Sequence, residues 1–325
     1  MNNVIQSLIA SGLKLVTSLT SKKSGENKLW ILIFHRVLDS PDPLRPGEVD
    51  RIAFDWQMSL LAKYFNVLSL NDAVDQLSAG ELPPRAAAIT FDDGYADNLS
   101  IATPILEKYD FPATVFVSTG FIDGGCMWND TVIESIRNWP SPTMDLAHLG
   151  LGVINCQTVE EKRTAINTIL NAIKHKNVCE RQEIVDAMGS KVGGSPTNLM
   201  LSTDGVKELY SRGIEIGAHT VTHPILASLS ESAARSEIEN SKKTLENITC
   251  DQVKFFAYPN GRRGLDYTEV HVGMMQSLGF KAALSTHWGV STKNCDRMQL
   301  ARFTPWDTSE ARFVLRAAKN YRKSD

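Results

Sequence analysis

The segment Ala88-Ile89-Thr90-Phe91-Asp92-Asp93-Gly94-Tyr95 constrains the fold of this chain more than any other, because a short apolar run stops abruptly at two carboxylates and a glycine. Such a run reads as a buried strand, and a strand that delivers charge at its C-terminal tip is how a β/α barrel builds its active face. On an extended backbone neighbouring side chains point to opposite sides, so Asp92 and Asp93 are expected to diverge and to serve different tasks. One carboxylate can hold a metal while the other handles a proton.

Residues 30–34, 113–117, 214–218, 253–257 and 280–284 read as further strands, with a shorter one at 67–70. Between them lie helical patterns: Phe54, Met58, Leu61 and Phe65; Asn71 or Asp72 through Leu77; and Ile101, Ile105 and Leu106 behind Asp97 as a cap. More follow over 204–211, from Ser230 to about Asn247 with Glu231 and Glu237 complementing the helix start, over 266–278 and over 309–321. This alternation argues for a parallel sheet wrapped by helices. His35 follows the strand at 30–34 as Asp92 follows its own, which puts both on one rim.

The alternation breaks at about residues 120–200. Helical stretches near 131–138, 159–174 and 179–188, with a weak strand signal over 149–155, make this an insertion over the active face. Its Met127, Trp128 and Trp139 are either core residues or sugar-stacking groups.

Val4, Ile5, Leu8, Ile9, Leu15, Val16 and Leu19 recur at helical spacing, so residues 1–25 read as an N-terminal amphipathic helix ahead of a main domain over 26–325. This helix either docks on the domain or associates peripherally with a membrane through residues 4–19. A net charge of −3 without a clustered basic face excludes nucleic acid as the expected partner. The 5 cysteines form no C-x-x-C pair, and Met1-Asn2-Asn3 lacks the positive start of a secretory signal. The expected location is the cytoplasm, at the inner membrane surface if the helix anchors there.

A second segment, His219-Thr220-Val221-Thr222-His223, puts two histidines four apart after a strand. In a turn or incipient helix they can converge on one cation. With a carboxylate from the Asp92-Asp93 tip they make a two-histidine, one-carboxylate set with room for water, the ligand count of a hydrolytic metal centre.

Together these two motifs resemble the NodB-like polysaccharide deacetylases, carbohydrate esterases that remove N- or O-acetyl groups from glycans. Phe34-His35-Arg36-Val37 looks like the opening segment of their exopolysaccharide branch. The resemblance runs from about Ile31 to Arg302 and implies an α/β fold, a deformed (β/α) barrel, here with an inserted helical cap. It implies Asp92 as general base, Asp93, His219 and His223 as ligands of a divalent metal, and the backbone N–H of Tyr95 as an oxyanion donor. Zinc is the first expectation for two nitrogens and one oxygen, with cobalt, nickel and iron tolerated.

The chain departs from the family twice. Where a motif arginine should hold the base, it reads Ala257-Tyr258-Pro259-Asn260-Gly261, and Arg302 near the last strand is the nearest replacement. Tyr258, Pro259 and Asn260 are then expected beside the substrate, with Trp128 and Asp130; Asp130 could instead cap a helix. The histidine segment that supplies the general acid reads Leu284-Ser285-Thr286-His287, one residue too long, so His287 is the first candidate and His35 the second. The expected substrate is an N-acetylated sugar of a polysaccharide or of a lipid-linked or nucleotide-linked precursor. A deformylase or other amidase of the same fold and a catalytically silent glycan-binding protein are the alternatives.

Overall fold

A computed structural model describes residues 28–174, 176–194 and 196–321. The amphipathic segment over residues 4–19 lies outside them. Strand β1 (Leu29–Phe34) is buried along its whole length, as expected for a strand with apolar neighbours on both faces. It is followed by β2 (Asn66–Val67), β3 (Ala86–Phe91), β4 (Thr114–Val117), β5 (Glu215–Ala218), β6 (Phe255–Ala257), β7 (Ala282–Leu284) and β8 (Arg302–Phe303).

All these strands pair in parallel, in the order β7-β6-β5-β4-β3-β1-β8, with β2 beside the start of β3. The ends of this path meet, because the Leu300 N–H donates to Ala283 O and the Ser285 N–H to Leu300 O, each at 2.9 Å. The barrel is therefore nearly closed.

The helices are α1 (Arg51–Tyr64), α2 (Leu70–Ala79), α3 (Thr103–Lys108), α4 (Trp128–Arg137), α5 (Val159–Ile173), α6 (Val178–Ser190), α7 (Thr203–Ser211), α8 (Glu231–Thr249), α9 (Glu269–Ser277) and α10 (Glu310–Asn320). Serine side chains accept the first free amides of three of them: Ser69 before α2, Ser202 before α7 and Ser230 before α8.

Alternation along the strands sorts the core into two parts. Leu29, Ile31, Ala86, Ala88, Phe255, Ala257, Ala282 and Leu284 cluster inside the barrel with Leu70, Ala73, Val74 and Leu77 of α2. Trp30, Leu32, Phe34, Ala87, Ile89 and Phe91 face the surrounding helices. Arg302 is in register with Ile31, so it shares the inner face.

Three elements differ from the sequence reading. Asp97 caps no helix: a π-turn at Asn98–Ala102 precedes α3, and the Asp97 carboxylate accepts from Arg36 Nε (2.7 Å) and from the Val37 N–H (3.1 Å). Helix α9 starts later than residue 266, because the Asp266 carboxylate takes the Arg262 Nε and backbone N–H, each at 3.0 Å, and closes a turn instead. The weak strand signal over 149–155 is one arm of a hairpin, Thr143–Asp145 against Val153–Asn155.

Between β4 and β5, this hairpin and α4 to α6 share a core of their own, built on Val132, Ile136, Met144, Ile169, Ile173 and Val185. Trp139 packs against that core and donates its Nε1–H to Thr143 O. No helix among the described residues is long and apolar enough to cross a membrane.

Candidate active site

The pairing of β1 with β3 runs in register from Leu29 and Ala86 to Phe34 and Phe91. Their tips are therefore level, and the Asp92 N–H donates to Phe34 O at 2.9 Å. Beyond Asp92 the chain leaves the strand: Asp93 has φ 76° and Gly94 φ 85°. A Cβ on Gly94 would come within 2.9 Å of Val117 Cγ1, so only glycine fits there. This turn corrects the expectation that the two carboxylates diverge. Both converge on one imidazole, His219 Nε2, which is 3.4 Å from Asp93 Oδ1 and 3.9 Å from Asp92 Oδ2.

His219 and His223 meet in a turn, one of the two expected arrangements, and not in a helix. Thr220 (φ 65°) and His223 (φ 53°) form a left-handed turn, and the His223 N–H donates to Thr220 Oγ1 at 3.1 Å. The two rings lie edge to face with centroids 4.8 Å apart. Glu237 of α8 holds the turn from outside, accepting from the Val221 N–H (2.8 Å), the Thr222 N–H (2.9 Å) and Thr222 Oγ1 (2.8 Å). By its position in the sequence Glu237 is only a charge complementing the helix start. Nothing in the sequence marks its contact with a turn 16 residues earlier.

Asp93, His219 and His223 bring their ligand atoms within 4.8 Å of one another. His219 Nδ1 is 2.7 Å from Ala257 O, an acceptor only, so the ring proton sits on Nδ1 and Nε2 offers its lone pair to the site. Asp93 Oδ1 is buried without a hydrogen-bond partner and lies 3.4 Å from both His219 Nε2 and His223 Nε2. Acceptors facing one another at this distance call for a cation between them, so the set fits a divalent metal. Burial pushes the His223 imidazole down to about 4, which leaves it neutral near pH 7. Burial raises the Asp93 carboxyl, but the neighbouring His219 and His223 outweigh it and hold the group well below its usual range. Burial likewise lowers His219, and Asp92 and Asp93 more than reverse it.

Arg302 is fully buried, and its Nη1 and Nη2 meet Asp92 Oδ1 and Oδ2 at 2.6 and 2.7 Å. Its Nε–H donates to Ser285 O at 2.9 Å, which fixes the plane of the guanidinium. Burial pushes Asp92 up, yet Arg302 and His219 together keep it below the usual carboxylate range. Ala257 contributes its main-chain carbonyl to His219 instead of a side chain to Asp92.

These groups open on a cavity of about 600 Å³. His35, Asp92, Asp93, Tyr95, His219 and His223 line its floor. Asn260 and Thr286 border it, as do Glu48 from the loop after β1 and Trp128, Asn167 and Arg181 from the insertion.

Four expected site residues lie elsewhere. His287 is exposed and not among the lining residues; it serves through its carbonyl, which accepts the Arg302 N–H at 2.9 Å. Tyr258 is fully buried, stacked on Tyr267 at 3.8 Å between centroids, and donates its hydroxyl to Met298 O at 2.9 Å. Pro259 is buried, and its carbonyl accepts the Gly261 N–H at 2.7 Å. Asp130 is fully buried behind the cavity wall, accepting from Tyr95 OH (2.9 Å) and paired with Arg45 Nη2 (2.8 Å). It caps no helix either, since Met127 precedes α4.

A family model for polysaccharide deacetylase matches residues 79–283. The chain belongs to the polysaccharide deacetylase family. It is similar to YxkH of Bacillus subtilis, a protein named provisionally as a polysaccharide deacetylase, at 24% identity over 280 residues, 86% of this chain and 71% of that one. Among solved structures it is similar to the Streptococcus pyogenes deacetylase PplD in complex with acetate, with TM-score 0.60 and 21% identity over 90% of this chain and 99% of that one. It is also similar to IcaB from Ammonifex degensii, with TM-score 0.58 and 18% identity over 90% and 97% of the two chains. At these identities the likeness is one of fold, the deformed (β/α) barrel of the deacetylases.

Proposed function

We propose that this deacetylase removes the acetyl group from an N-acetylated sugar of a glycan by metal-assisted hydrolysis, with Asp92 as general base. One observation carries the reading: a buried carboxylate clamped by Arg302 stands beside an Asp93–His219–His223 triangle on a single cavity.

A divalent ion held by that triangle would supply Lewis acidity to the acetyl carbonyl and acidity to a water, and the donor set suits zinc first. Asp92, ionised and fixed by Arg302, takes the proton of the attacking water. His35 borders the same cavity and returns a proton to the leaving amine. The backbone N–H of Tyr95 stabilises the oxyanion, a contribution of about 2.7–4 kcal/mol where single donors have been removed elsewhere. Trp128 offers its face to the sugar ring.

Acetate release from N-acetylglucosamine oligomers tests this. Activity should vanish after chelation and return with zinc. Activity that persists in metal-free protein would contradict the proposal.

A further inference from the structure

The insertion contributes a buried cation without a countercharge to the cavity wall. Arg181 of α6 is only 7% exposed. Its Nη1 donates to Lys174 O at 3.4 Å and its guanidinium lies 4.8 Å from the centre of the Trp128 ring. No carboxylate among the described residues acts on it, and burial alone shifts its acidity. By contrast Arg302 is clamped to Asp92, and Arg45 to Asp130 and Glu134.

A guanidinium this deep without an anion is costly, and Arg181 faces the substrate cavity. Lys174, at the end of α5, lines the same wall, as do Asn171 and Asn167 one and two turns earlier on that helix. The carboxylate bordering the neighbouring hollow, Asp266, is already engaged by Arg262.

We propose that Arg181, with Lys174, binds a phosphoryl group carried by the acetylated sugar. The inference rests on the deacetylase reading and narrows its substrate class. A forked guanidinium and a point-charge ammonium suit a tetrahedral, multiply charged oxyanion, and the two amides add donors beside it. A lone carboxylate would occupy the guanidinium and leave Lys174 unused.

The test is calorimetric binding to zinc-loaded protein of three probes: methyl N-acetylglucosaminide, N-acetylglucosamine 1-phosphate and UDP-N-acetylglucosamine. In the wild type at least one phosphorylated probe should bind about tenfold more tightly than the neutral one. Preference for the 1-phosphate identifies a phosphomonoester, and preference for the UDP sugar a diphosphate bridge. Arg181→Met should lower this preference about tenfold, Lys174→Gln by a smaller factor, and added salt should weaken it too. Zinc also attracts phosphate, but equally in wild type and variants, so the change in preference isolates the wall.

Equal binding of all probes by the wild type, or no binding of any, overturns the inference. So does an unchanged preference in Arg181→Met. If that variant fails to fold, Lys174→Gln and the salt dependence decide by the same criterion. The two readings fail separately: acetate release from neutral oligomers without phosphate preference sinks this inference alone. Phosphate preference without acetate release from any probe or oligomer sinks the deacetylase mechanism.

Discussion

Two buried arginines, one on the barrel rim and one at the foot of the insertion, hold carboxylates with opposite results. Arg302 grips Asp92 through both terminal nitrogens, with the His219 imidazole alongside, so Asp92 stays below its usual range despite complete burial. Arg45 pairs with Asp130 at 2.8 Å and Glu134 at 3.2 Å, yet burial wins at Asp130 and raises its carboxyl. Asp130 further accepts the Tyr95 hydroxyl, which ties the wall to the rim. The same kind of ion pair therefore keeps a cavity-lining carboxylate ionised in one region and joins two structural layers in the other. What differs is the imidazole of His219 beside Asp92 and the cavity in front of it.

The largest effect that would break this contrast is expected at Asp93. Asp93→Asn should abolish bound zinc and acetate release together, measured by elemental analysis and an acetate assay; retained metal would remove Asp93 from the ligand set. Arg302→Met comes next: kcat should fall about a hundredfold with metal content unchanged, and unfolding should become easier by about 3–5 kcal/mol because Asp92 is left buried and unpaired. Arg45→Met should destabilise the protein comparably by denaturant titration, while kcat falls less than in Arg302→Met. If the two arginine variants lose kcat equally, the rim and the wall are not functionally distinct. The smallest effect is expected for Glu237→Gln, which loosens the turn behind His219 and His223 and should weaken zinc binding about tenfold in a competition titration.

Much of the rim was legible because a strand that ends in charge announces itself. The segment at Asp92-Asp93 and the histidine spacing mark the site, and the absence of the motif arginine leaves its place to Arg302, which the register with Ile31 turns inward. The handedness of the turns was not legible, since alternation predicts divergence at Asp93 whereas a positive φ brings the carboxylates together. Tyr258, Pro259 and His287 were misplaced for a related reason: sequence order near a strand end does not say which residue faces the cavity. Arg45, Glu237 and Arg181 carried no signal, because their roles depend on partners from distant segments.

In the proposed mechanism Asp92 acts on a proton while Asp93 holds the metal. Its most direct test is acetate release by zinc-loaded wild type and Asp92→Asn, with bound zinc quantified in both samples. Equal metal is expected in the two proteins, with a loss of turnover of about a hundredfold or more in the variant. Equal turnover in both, or loss of zinc from Asp92→Asn, would contradict it.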